Sequence, residues 1–246
     1  MVYRWNFTRP DMGSVFKFKQ FAVDQTGCAM KINTDGVLLG AIAVQQQPES
    51  ILDIGTGTGV IALMLAQRFA DAKVDAVEID AAAAAAAHKN FSDSSFAGRM
   101  KVHAVSFEEF GTAVKYDLIV SNPPYFVNDL KSPEKRKEIA RHTHEDFFNT
   151  LLRKAAVMLN PEGLLWLILP VKQAEKVVIN AVLYKFHPAR LIHIHSDNTK
   201  AAFRQIICLG FSRNKPLQEE HVYIYEAKDR YTEQYKQLLK DFFLAF

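Results

Sequence analysis

Ile51-Leu52-Asp53-Ile54 runs into Gly55-Thr56-Gly57-Thr58-Gly59 and then Val60-Ile61-Ala62-Leu63-Met64-Leu65-Ala66. The first four residues read as a buried strand. The last seven are apolar throughout and open a helix from about 57 to 70. Glycines at alternate positions let the backbone between them turn tightly and come close to a ligand. The helix N-terminus beyond them favours an anionic group such as a carboxylate. The spacing is G-x-G-x-G, not the G-x-G-x-x-G of dinucleotide-binding loops.

Further along the chain, strands and helices alternate. Strands are expected at 74–79, 100–105, 116–121, 164–169 and 189–196. Helices are expected at 81–92, 144–159 and 172–186. Two late strands near 203–212 and 221–226 precede a helix at about 230–243. Such alternation predicts a parallel, doubly wound α/β sheet. Its ligand belongs at the carboxyl ends of the strands. The glycine loop, Glu78 at the end of the second strand and Asn122 after the fourth all fall there. Residues 81–87 are seven consecutive alanines. Alanine is the best helix former, and no function is drawn from the run.

The fourth strand, Tyr116-Asp117-Leu118-Ile119-Val120, is followed by Ser121-Asn122-Pro123-Pro124-Tyr125. Together with the glycine loop and the acid, this resembles the S-adenosylmethionine-dependent methyltransferases that alkylate amino or amide nitrogens. The resemblance implies a Rossmann-like class I methyltransferase sheet, mostly parallel with an antiparallel edge hairpin. The chemistry wants these residues. An adenine amino nitrogen is a poor nucleophile because its lone pair is delocalised into the ring. Two acceptors for its N–H pair, the Asn122 side-chain oxygen and the Pro123 carbonyl, turn that lone pair toward the methyl donor. Proline lacks a competing N–H, and the residue before a proline is held extended, so Pro123 and Pro124 stiffen the loop. Tyr125 offers a face for a flipped base, worth roughly 1–3 kcal/mol. These four are the expected catalytic residues.

The resemblance implies the cofactor set as well. Gly55, Thr56, Gly57 and Gly59 form the loop, and Asp53 helps hold the methionine end. Glu78, 19 residues beyond Gly59, takes the ribose hydroxyls, with Ile79 beside it. Ser106 and Phe107, after the third strand, lie by the adenine, although many members carry an Asp near there and this chain does not. Asn122 borders the cofactor too.

Cys28-Ala29-Met30-Lys31-Ile32-Asn33-Thr34-Asp35-Gly36-Val37-Leu38-Leu39-Gly40-Ala41 narrows the likeness. It resembles the bacterial tRNA-Val (adenine-37) N6-methyltransferases. So do Asn90–Phe96, Ala140-Arg141-His142-Thr143, Tyr231-Thr232 and Leu238–Phe243, so the likeness covers nearly the whole chain. It implies Lys31, Thr34 and Asp35 over the methionine end, a cap segment at 1–30 and a methyltransferase domain at 31–246. Read without the resemblance, Lys31 to Ala41 is a loop entering a helix, with Thr34 or Asp35 as its N-cap. The implied substrate is adenine 37 of valine tRNA, methylated on N6. Protein glutamine N5, RNA guanine N2 or DNA adenine N6 would suit the same loop. A non-catalytic RNA-binding protein retaining the fold is the alternative of another class.

Composition sets bounds on these readings. The chain has 246 residues, 49% hydrophobic and 23% charged, enough for one full α/β core. Two cysteines without C-x-x-C spacing suggest no disulfide framework. A reduced cytoplasm is the expected setting, since residues 1–6 lack a signal-peptide core and no apolar run is long enough for a membrane. Net charge is +3. Between residues 131 and 141, Lys131, Lys135, Arg136, Lys137 and Arg141 face only Glu134 and Glu138. This segment is expected to meet RNA phosphates, or else to be a solvated face. His142 with His144, and His193 with His195, would share a face if in strands. No carboxylate or cysteine cluster accompanies them, so no metal is expected.

Overall fold

In the computed structural model, residues 15–28, 31–123, 135–213 and 216–246 are described, with the backbone alone over 135–146. A short hairpin, β1 (Val15–Lys17) and β2 (Ala22–Asp24), leads to α1 (Thr34–Ile42). The central elements follow as β3 (Ser50–Ile54), α2 (Val60–Arg68), β4 (Lys73–Glu78), α3 (Ala81–Ser92), β5 (Met100–Ala104) and β6 (Tyr116–Ser121). Then come α4 (Lys135–Met158), β7 (Leu159–Leu169), α5 (Val171–Ala181), β8 (His187–His195), β9 (Arg204–Gly210) and β10 (Gln218–Tyr223). A small hairpin of β11 (Tyr225–Ala227) and β12 (Arg230–Tyr231) precedes α6 (Glu233–Leu239).

Eight strands join in the order β10-β8-β9-β7-β6-β3-β4-β5. β9 runs antiparallel to both β7 and β8, and the remaining pairs are parallel. The reversed hairpin at this end is therefore β8–β9, and β10 adds outside it, parallel to β8. The late strands near 203–212 and 221–226 are both present, but they do not pair with each other. The fourth helix begins at Lys135, earlier than the expected 144.

Each sheet face carries its own core. Residues of α1, α2, α3, α6 and β2 pack on one face around Leu38, Leu63, Met64, Phe91 and Trp166. On the other face, α4 and α5 bury Phe148, Leu151, Leu152 and Val177 against Leu52, Ile119 and Leu167. Parallel strands covered on both faces read as continuous apolar runs. That is why Leu118-Ile119-Val120 and Leu165 to Leu169 are wholly buried. Burying one such Leu or Ile contributes about 1.5–3 kcal/mol. The polyalanine helix α3 starts at Asp80, whose side chain accepts the Ala83 amide at 2.8 Å. Of its alanines only Ala84 and Ala87 reach the core.

The hairpin β1–β2 is tied down by the far end of the chain. Phe18, Phe21 and Val23 are buried, the Lys19 amide donates to the Phe242 carbonyl at 2.8 Å, and Phe18 stacks on Phe21. At the β10 edge, Gln234 of α6 accepts the Tyr223 amide at 3.2 Å and donates to the His221 carbonyl at 2.9 Å.

Candidate active site

Strand register brings the three motifs level. Ile54 pairs with Val77 on one side and with Ser121 on the other. Gly55, Glu78 and Asn122 are therefore the next residues on three adjacent strands, at the carboxyl end of the sheet. With about 4.8 Å between strands, Glu78 and Asn122 flank the glycine loop at about one strand spacing each. The Ser121 hydroxyl donates to the Ile54 carbonyl at 2.8 Å, which fastens the end of β6 to the end of β3.

Gly55, Gly57 and Gly59 all have positive φ, at 70°, 56° and 88°. An added Cβ at Gly55 or Gly57 would meet open space, whereas at Gly59 it would fall 2.5 Å from Phe91 Cε1. The first two glycines thus leave a bare backbone facing the rim. The third lets the start of α2 lie against α3. Asn90, 2% exposed, braces this arrangement. Its amide donates to the Thr58 carbonyl at 2.9 Å and the Asp24 carbonyl at 3.1 Å, and its oxygen accepts the Asp24 amide. In the sequence, Asn90 stands out only as the first residue of the Asn90–Phe96 stretch that carries the family likeness.

Glu78 is buried, and its carboxylate accepts the Gly57 amide at 2.8 Å and the Asp80 amide at 2.9 Å. A carboxylate has about four acceptor positions, so capacity for two hydroxyl donors remains. Ile79, the next residue, is 74% exposed at the rim. Asp53 is fully buried. The Thr56 hydroxyl donates to its Oδ2 at 2.6 Å, and among the described residues its Oδ1 has no hydrogen bond of ordinary geometry. Burial pushes its pKa up to about 7; the Thr56 hydroxyl and the Ala62 amide pull against this, and Glu78 adds to it. A buried acid with an unsatisfied oxygen suits a cationic partner.

Asn122 is half-buried and Pro123 buried. Asn122 Nδ2 lies beside the first turn of α1, where a Cβ on Gly36 would sit 3.7 Å from it. The cap of α1 is Asn33, which accepts the Gly36 amide at 2.9 Å, not Thr34 or Asp35. Thr34 begins the helix half-buried, and Lys31 is exposed. Asp35 is buried and engaged elsewhere, with Arg204 Nε of β9 donating to its Oδ2 at 2.8 Å.

Ser106 caps a local turn, its hydroxyl accepting the Glu109 amide at 3.2 Å. The Phe107 ring is buried in the α4/α5 core, with Lys154 Nζ 5.1 Å from its centroid. Pro124, Tyr125 and Lys131 lie outside the described residues. Lys135, Arg136, Lys137 and Arg141, with His142 and His144, fall on α4, where only the backbone is described. Among the described residues no group of three or more His, Cys, Asp or Glu could hold a metal ion, and no helix is long and apolar enough to cross a membrane.

Comparison with known proteins gives the family and the fold. The Methyltransferase small domain family matches residues 31–190. A tRNA1(Val) (adenine(37)-N6)-methyltransferase of Pedobacter heparinus is 57% identical over 235 residues, spanning 96% of this chain and all of that one. Its namesake in Serratia proteamaculans is 39% identical over 98% of this chain and 93% of its own. Among solved structures, a protein described as a predicted O-methyltransferase from Agrobacterium tumefaciens superposes with a TM-score of 0.67 at 19% identity, over 85% of this chain and 96% of that one. At that identity the likeness concerns the fold alone. On its sequence, the chain belongs to the tRNA1(Val) (adenine(37)-N6)-methyltransferase family, built on the methyltransferase small domain.

Proposed function

We propose that the protein transfers a methyl group from S-adenosylmethionine to N6 of adenine 37 in valine tRNA. The observation that carries this reading is the 57% identity with a relative of that name along its entire length. The donor site fits on structural grounds. Asp53 is a fully buried carboxylate whose Oδ1, among the described residues, makes no hydrogen bond of ordinary geometry, which suits a cationic ammonium. Gly55 and Gly57 present bare backbone, Glu78 keeps spare acceptor positions, and Ile79 offers an exposed apolar surface for a flat ring. When bound, S-adenosylmethionine supplies an electrophilic methyl group on its sulfonium.

Asn122 would accept one adenine N–H on its side-chain oxygen, and the Pro123 carbonyl the other. Both acceptors draw the amino group out of conjugation and aim its lone pair. The gain is positional and electrostatic. No strong general base is needed, because the amino nitrogen can release its proton after alkylation. Thr34 and Asp35 of α1, and Lys31 three residues before it, would lie over the methionine end, with Asp35 held in place by Arg204. Ser106 and Phe107 would border the adenine of the donor through their turn. Residues 1–30 would serve as a cap segment on a catalytic domain of 31–246, in keeping with the β1–β2 bonds to the chain's other end. A cytoplasmic setting goes with this activity.

The test is methyl transfer from labelled cofactor to unmodified valine tRNA, with bulk DNA and protein in parallel and the product located by mass spectrometry. Label at N6 of adenine 37, lost in Asn122→Ala, is the expected result. Label only in DNA or protein would overturn the substrate.

A further inference from the structure

His193 and His195 of β8 do share a face, and β10 adds to it. Register places His193 opposite His221 and His195 opposite Tyr223. His193 and His221 stack with centroids 4.8 Å apart and planes 18° apart; His195 and Tyr223 stack at 4.7 Å and 30°. Leu191, two residues before His193, packs into the α4/α5 core, while Ile192 and Ile194 are buried on the opposite face. The ladder of rings therefore stands on the α4/α5 side of the sheet, the side that also carries the basic helix α4. His221 is exposed and the other three rings are half-buried.

Hydrogen bonding orients the ladder. His195 Nδ1 bonds the Lys200 carbonyl at 2.9 Å, so in the neutral ring that nitrogen carries the proton. His195 Nε2 then accepts from His221 Nδ1, at 2.9 Å. This chain leaves His221 Nε2 as an acceptor on an exposed ring, matched to a base amino group or a ribose 2′-hydroxyl. Burial, and then the neighbouring His221, push the His193 pKa down; Glu219, 3.9 Å away, pulls it up, and His195 pushes it down.

His195 and Tyr223 end their strands at the same rim as Gly55, Glu78 and Asn122. Four strand spacings separate β10 from β6, about 19 Å at about 4.8 Å each. About six stacked nucleotides at roughly 3.4 Å each would bridge that distance.

We propose that the His193–His221 and His195–Tyr223 rings are a second contact surface for the substrate tRNA, on which unpaired bases near the methylated adenine stack. The proposal rests on the tRNA reading above. Flat π faces with a polar edge fit nucleobases, which offer both a face to stack and an edge to hydrogen-bond. Every base has a face to stack, so the contact adds affinity more than sequence choice.

The experiment uses the full chain and unmodified valine tRNA. His221→Ala, His221→Gln, Tyr223→Ala and Tyr223→Phe are compared with wild type for tRNA Kd, KM, kcat, cofactor Kd and Tm. His221→Gln keeps a polar side chain at an exposed position and removes only the ring. Loss of a ring should raise tRNA Kd and KM about five- to a hundred-fold, with kcat at saturating tRNA and cofactor Kd unchanged. Tyr223→Phe should behave as wild type. Wild-type tRNA Kd and KM after removal of both rings would overturn the proposal while leaving the substrate standing. A wild-type protein that fails to methylate tRNA would overturn both.

Discussion

Glu78 Oε2 accepts the Gly57 amide at 2.8 Å, so the acid after β4 and the loop after β3 form one hydrogen-bonded unit. Glu78→Ala therefore removes the proposed ribose acceptor and also a hydrogen bond that holds the glycine loop. A hydrogen bond to a charged group is worth about 1.5–3 kcal/mol, so cofactor affinity should fall about ten- to a hundred-fold. Faster hydrogen exchange at Gly57 should accompany it. Calorimetry with unchanged affinity would reject the ribose role.

Asn122→Ala should lower kcat about 100-fold or more, as loss of a transition-state hydrogen bond does, with cofactor affinity little changed. Gly36 supplies a finer probe. Its Cβ would make ordinary contacts with Asn33, Ile61 and Asn122, so Gly36→Ala should keep activity. A larger side chain such as Gly36→Leu should displace Asn122 and reduce kcat. Equal activity in both Gly36 variants would show that Asn122 does not depend on this neighbour.

Asp53 carries a pH dependence with a definite sign. Its folded pKa is raised to about 7 from the usual 3.8, so the folded state holds a proton that the unfolded state has lost. Its contribution to stability is full below about pH 4 and declines as pH rises through about 7. Denaturant titrations of the cofactor-free protein should show this slope, and Asp53→Asn should flatten it. A cationic ammonium on Asp53 favours the ionised form, so cofactor binding near neutral pH should release a proton. Calorimetry in buffers of different ionisation enthalpy reads that proton directly; no buffer dependence would remove Asp53 from the methionine end.

Neutralising Lys135, Arg136 and Lys137 together should weaken tRNA binding and reduce its salt slope by up to about two to three units. Cofactor affinity should be spared. An unaltered slope would make this turn of α4 a solvated face.

Arg204→Ala should destabilise the fold by about 2 kcal/mol, because the buried Asp35 carboxyl loses a charged hydrogen-bond donor. The effect should shrink in the double variant with Asp35→Asn. A thermal shift that is the same with and without the Asp35 change would mean the pair is not coupled.

The sheet, the glycine loop, Glu78 and the place of Asn122 were legible because each follows from local chemistry. Apolar runs make buried strands, and turn residues sit at their ends. What escaped is non-local. Asp35 is followed by nothing nearby that reveals its partner 169 residues away on β9. Asn33 as the cap of α1 was within reach, since Asn is as good an N-cap as Asp, but Thr34 and Asp35 competed for the place. The shared face of His193 and His195 was readable from their spacing, whereas His221 and Tyr223 joined it through β8–β10 register. The reversal of β9 between β7 and β8 likewise depends on pairing that no single segment encodes.

The Gln234 amide bonds the backbone of β10 as a neighbouring strand would, one donor and one acceptor at Tyr223 and His221. An open sheet margin is a template on which another chain can add, and proteins commonly blunt such margins with charge or cover. Here Glu219 and Glu220 guard the early part of the strand and a side chain from α6 occupies the late part. Another strand approaching this margin would meet acidic side chains along the early part and backbone groups already bonded along the late part, which disfavours its addition.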